Sequence, residues 1–388
     1  MTRRNHQQPD QLQQLLIRVQ KTFTDSPLAP IGAKLETLLT ESQEAILAGN
    51  AKPEQATQVA NSVRGIRDML PQTFGERFYF DASMIKALAD HWRQGAVQLS
   101  EMIVPRTSQT WGHRRVAMPS ENRDNAHVVD LILFPGEDDL GDMDLLEYPL
   151  LCHELGHNVF FRCDTTFVRS FKIELDRVSN ILRLRAMADR GSAEGKAQKM
   201  IEEICRFWRP TLDHHNWAHE LAIDMIALWT CGPAYLAAFQ NELHDPDINP
   251  YQIDQSHPPY EVRASALVSA SRQLGWSTHT GDLTRLIQGW RKSEWKSQRT
   301  NRYVALIDPE LVKACVSAAL ETSKALALPK CTLEQVSNVR DTLRREDIPD
   351  FGVDLLLAAW LVEREQGEQA FEQWEQKAIR VLSSSITR

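Results

Sequence analysis

The chain has 388 residues, 25% of them charged and 42% hydrophobic, with a net charge of −8. This is the balance of a soluble globular protein with one large or two ordinary domains and ample material for a core. The acidic balance argues against a bulk nucleic-acid binder. The longest apolar run, Val353 to Val362, is interrupted by Asp354 and is too short to span a bilayer.

Residues 1–74 read as a helical N-terminal extension. Leu12, Leu15, Leu16 and Val19 fall at helical spacing, as do Leu35, Leu38, Leu39 and Ile46. The polar start, Met1 to Gln8, lacks the apolar core of a signal peptide, so a cytoplasmic location is expected. Lys52-Pro53-Glu54 opens a further helix, and Asp81-Ala82-Ser83 reads as the cap of another running to about Ile103. Residues 104–125 look like loop or short strands. Residues 128–134, Val-Val-Asp-Leu-Ile-Leu-Phe, are the best strand candidate and are closed by Pro135-Gly136. Extended substrate could pair along that strand, or it could be an ordinary buried strand. The acidic stretch 137–144 reads as a solvated loop, and Pro149 suits the first turn of a helix running to about Arg162.

Residues 167–208 read as a helical hairpin. Val168, Phe171, Leu175, Val178 and Leu182 form one stripe, and Ala197, Met200, Ile201, Ile204, Phe207 and Trp208 the other, with Arg190-Gly191-Ser192 as the turn. The chain is helical again from Ser256. Trp276, Trp290 and Trp295 are expected in the core or at an interface. Cysteines at 152, 163, 205, 231, 315 and 331 are scattered and read as reduced, mostly buried thiols.

His153-Glu154-Leu155-Gly156-His157 carries the chemistry. Histidines four apart share one helix face and can hold a single Zn²⁺, while the intervening Glu faces a metal-bound water whose proton it can take. A hydrolytic zinc site needs a third protein ligand. The metzincin continuation is excluded, because Phe160 and Cys163 stand at its Gly and His positions. His219-Glu220-Leu221-Ala222-Ile223-Asp224 is the strongest source, since ionisable groups in so apolar a helix are expensive unless paired or metal-bound. Glu220 can ligate while Asp224, on the same face, accepts the outer N–H of a ligand His. His219 is the rival ligand on a different face.

These residues, followed by Ser256-His257-Pro258-Pro259-Tyr260-Glu261-Val262-Arg263, resemble the gluzincin family that includes HtpX and the CAAX prenyl proteases, whose small soluble members are called minigluzincins. The resemblance covers roughly residues 125–270. It implies zinc on His153, His157 and Glu220, Glu154 as general base and Asp224 behind a ligand. It also implies that His257 contacts substrate or the tetrahedral intermediate and that Arg263 is a supporting cation. Ile223 stands where the family often has Ala, and the family's transmembrane helices are absent. Tyr260 is a second possible oxyanion donor.

The implied fold class is mainly α with a small sheet, α+β. A zincin-like metallopeptidase core over 75–275 would sit between the 1–74 extension and a helical C-terminal region, 276–388. The expected activity is hydrolysis of peptide bonds in a protein or peptide substrate, bound along 128–134, through a zinc-activated water. A narrow regulatory protease of the ImmA/IrrE type and a protein-binding scaffold on a peptidase fold are the alternatives. The helical regions could take a regulatory partner.

Overall fold

The computed structural model describes residues 13, 14, 16, 17, 20, 29–48, 76–95, 102–108, 112–118, 127–135, 144–163, 165–188, 193–210, 216–243 and 248–386. The chain divides into two compact units. The first comprises Met1–Ala89, Leu99–Met143 and Gln373–Arg388, and the second Asp90–Gln98 and Asp144–Glu372.

The first unit contains α1 (Ala29–Leu47) and most of α2 (Glu76–Arg93). Asp81 does not cap α2: the helix begins a turn earlier and ends well before Ile103. The unit also holds extended segments β1 (Met102–Ser108), β2 (Gly112–Met118) and β3 (His127–Pro135). Their order is β1-β3-β2, with β1 parallel and β2 antiparallel to β3, and Val129 paired with both Met102 and Val116. The Lys52-Pro53-Glu54 helix start and the acidic stretch before Asp144 lie outside the described residues.

The second unit carries the motif, and every regular element described in it is a helix: α3 (Leu150–Cys163), α4 (Thr165–Ala188), α5 (Ala193–Trp208), α6 (Trp217–Cys231), α7 (Pro233–Glu242), α8 (Tyr260–Leu274), α9 (Gly281–Lys292), α10 (Asn301–Leu306), α11 (Pro309–Ala325), α12 (Leu333–Arg344) and α13 (Val353–Gln366), with the start of α14 (Glu368–Ile386). The α+β expectation is therefore corrected. Within the unit that carries the motif, the described elements are all helices. The physical cause is α6. Every α6 residue except Trp229 is buried, and a helix apolar on all sides must be wrapped by other elements. Helices α3, α5, α7, α8, α11 and α13 all pack on it.

Local chemistry fixes both ends of α6. The Asn216 side chain accepts hydrogen bonds from Ala218 N at 3.0 Å and His219 N at 3.2 Å. Gly232 ends the helix at φ 55°, and a Cβ there would stand 2.6 Å from Cys331 Sγ, so glycine is required twice over. Helices α4 and α5 form in the hairpin region and pack on each other, while α4 also lies against α11. The expected turn at 190–192 lies outside the described residues. Tryptophans act as buried bodies with polar handles: Trp208 Nε1 donates to Leu306 O at 2.9 Å and Trp217 Nε1 to Asp254 O at 2.8 Å. Trp276 and Trp290 are buried, and Trp295 is half-buried. No helix among the described residues is long and apolar enough to cross a membrane.

Candidate metal centre

Residues 144–149 form a turn that delivers the chain into α3. Asp144 Oδ1 accepts from Leu146 N at 2.8 Å, and Cys152 N donates to Pro149 O at 3.0 Å. Pro149 loses nothing here, because the N–H it lacks would have no partner at a helix start. Helix α3 then packs tightly on α6. Gly156 permits this: a Cβ at that position would stand 2.7 Å from Ile223 Cγ2.

The close approach brings the expected residues together. The rings of His153 and His157 lie edge to face, 5.2 Å apart. One ligand atom from each of His153, Glu154 and His157 lies within 4.8 Å of the others. Across the helix pair, Glu220 Oε2 stands 3.3 Å from His153 Nε2. His153 Nδ1 donates to Asp224 Oδ1 at 2.9 Å, because an ionised carboxylate can only accept. All five side chains are buried. His219 turns instead toward Phe167, with ring centroids 6.2 Å apart, so Glu220 rather than His219 stands beside His153. The side chains of Cys163 and Asp164 are not among those described.

Asp224 is the hub behind the site. Arg263 grips it with two bonds, Nε to Oδ2 and Nη2 to Oδ1, both 2.8 Å, and the Tyr235 hydroxyl donates to Oδ1 at 2.7 Å. The Arg263 guanidinium also lies 4.9 Å from the Phe239 ring centre. Arg263 therefore supports the site through Asp224. The Tyr260 hydroxyl donates to Glu242 Oε1 at 3.1 Å. His257 stands at the rim with its side chain 55% exposed and Nε2 3.7 Å from Glu220 Oε2. Ser256 Oγ lies 2.9 Å from its Nδ1, and Asp254 Oδ1 3.8 Å from the same atom. Tyr235, Glu242 and Asp254 were not among the residues expected from sequence.

Protonation follows from burial set against charge. Burial pulls the His153 imidazole down, but bonds to Asp224 and Glu220 outweigh it and push it up to about 10. Burial pushes Glu154 up to about 7, against the pull of His153 and with the nearby Glu220 charge adding to the rise. For Glu220, burial is overcome by His157 and His153, and the carboxyl is held well below its ordinary range. Asp224 is likewise held low, burial being outweighed by Arg263 and then His153. Burial, followed by the Glu242 charge, pushes Tyr260 up to about 12.

Two imidazoles and a carboxylate are a zinc donor set. Ligand atoms at about 2.0–2.1 Å from a tetrahedral centre stand about 3.3 Å apart, which is the His153 Nε2–Glu220 Oε2 separation. Glu154 Oε2 is buried and has no hydrogen-bond partner among the described residues, an arrangement that is costly without something to face. The buried group of His153, Glu154 and His157 could hold a metal ion, with Glu220 beside His153.

No protein-family model, curated protein or solved structure matches the chain.

Proposed function

We propose that this protein is a zinc-dependent metallopeptidase. The observation that carries the reading is the buried Glu154 Oε2, which has no hydrogen-bond partner among the described residues, in a carboxylate grouped with the His153 and His157 imidazoles. His153, His157 and Glu220 would hold the ion. When bound, zinc supplies a Lewis acid that polarises a carbonyl and makes water a nucleophile near neutral pH.

The chain's own residues do the rest. Asp224 accepts His153 Nδ1–H, fixing the tautomer so that Nε2 is left for the ion. Arg263 and Tyr235 hold Asp224 in place. Glu154, pushed up to about 7, is poised to take a proton from water and hand it to the leaving amine. His257, at the rim, would meet the substrate. A cytoplasmic setting belongs to the same reading, as does a protein or peptide substrate.

The test is zinc content together with cleavage of a proteome extract, wild type against Glu154→Gln. The expected result is zinc in both and cleavage only by wild type. Full cleavage by Glu154→Gln overturns the mechanism, and zinc without cleavage in either favours a scaffold.

A further inference from the structure

Contacts that tie α3 to α6 include Gly156 to Ile223, His153 to Asp224, and Cys152 to Cys231. Descending positions on α3 meet ascending positions on α6, so the helices run antiparallel here. The third contact lies beyond the histidines and takes no part in the chemistry above. Both thiols are fully buried, and Cys231 donates S–H to Cys152 with the sulfurs 3.0 Å apart. A disulfide needs about 2.05 Å between sulfurs, so closure asks about 1 Å of movement from two side chains already face to face.

We infer that Cys152 and Cys231 form a redox-responsive pair, which a peroxide converts into a disulfide stapling α3 to α6. In the first step one of the two sulfurs attacks a peroxide oxygen; the O–O bond breaks, a sulfenic acid forms and one water leaves. In the second step the facing thiol attacks that sulfenic sulfur. The S–S bond forms, the S–O bond breaks, and the hydroxyl leaves as water with the second thiol's proton. Overall, two thiols lose two electrons and one peroxide is reduced to two waters.

A rival among the described residues is Cys331, whose Sγ lies against Gly232, the neighbour of Cys231. It lies in the segment before α12, however, and would tie that segment to α6 rather than α3. The Cys152–Cys231 bond would close a loop of 79 residues, long enough for a sizeable gain in stability. The inference stands apart from the peptidase reading, since its readout is a covalent bond and not an activity.

The full-length protein is reduced, freed of reductant and treated with a slight molar excess of hydrogen peroxide. It is then unfolded in alkylating reagent. The expected result is alkylation at four of the six cysteines and a cross-linked peptide pair containing Cys152 and Cys231. The melting temperature should rise by about 5 °C or more and fall back with reductant. Six alkylated thiols, a Cys231–Cys331 link or sulfinic acid on Cys152 would overturn the inference, and a Cys152–Cys231 link with no rise in melting temperature overturns the staple. Cys231→Ala should lose the cross-link; because the wild-type map decides alone, a folding failure of that variant changes nothing.

Discussion

Gly156→Ala isolates the approach on which the candidate site depends. In an exposed helix interior, alanine is better than glycine by about 1 kcal/mol. Here the new Cβ would stand 2.7 Å from Ile223 Cγ2, against the 3.4 Å where ordinary contact begins. The helices must give by several tenths of an ångström. Ile223 is fully buried and, being β-branched on a helix, cannot swing its methyl aside. Overpacking of this kind costs about 1–3 kcal/mol, so a net loss of about 1 kcal/mol is expected after the propensity gain. Ile223→Ala alone should cost about 2–5 kcal/mol through the cavity it leaves. With both changes the collision is gone, and the pair should be better than additive by about 1–3 kcal/mol. Urea unfolding at constant slope measures all four corners of the cycle. Zinc content should fall in Gly156→Ala and recover in the double variant. A Gly156→Ala protein more stable than wild type, with an additive cycle, refutes the argument.

Removing Arg263 as Arg263→Met leaves the Asp224 charge buried and should cost about 3–5 kcal/mol in urea unfolding; adding Asp224→Asn should recover part of it, and a simple sum of losses would count against the pairing. At pH 7 the metal-free His153, pushed up to about 10, carries a proton that a metal at Nε2 must displace. Calorimetric zinc titrations in two buffers of different ionisation heat should show about one proton released, and identical heats would contradict this. His279 is held below 6.5 by burial and then by the Arg364 and Arg340 charges. The unfolded chain therefore binds that proton first as pH falls. The neutral form's contribution to stability is full above about pH 6.5 and declines as pH drops toward the folded value. His279→Gln should flatten the decline, and an unchanged profile would exclude His279 as its source.

The motif helix was legible because its signal is local: histidines four apart need only a helix to share a face. Glu220 and Asp224 were legible for a different reason, as charges too costly to leave unpaired in an apolar helix. Tyr235 was not, although it holds Asp224, because it reaches that carboxylate only after the chain reverses at Gly232. Glu242 meets Tyr260 across 18 residues, and no local pattern announces such a pairing. The strand expected over 128–134 was read from its own apolar, β-branched run, and an extended segment does form there, but it belongs to the first unit and not to the unit that carries the motif. The neighbours of α6 are helices such as α8 and α11, and α11 lies beyond the roughly 125–270 stretch over which the likeness to gluzincins runs. Asp81 misled because Asp favours caps, yet here it sits buried inside a helix.

A helix buried at every residue but one has a consequence for exchange. The amides of α6 lie under α3, α5, α7, α8, α11 and α13, so the solvent reaches them only when the second unit opens as a whole. Fraying of a terminus or a loop leaves Glu220 and Asp224 where they are. The slowest-exchanging amides of the unit should map onto the helix that holds the carboxylates.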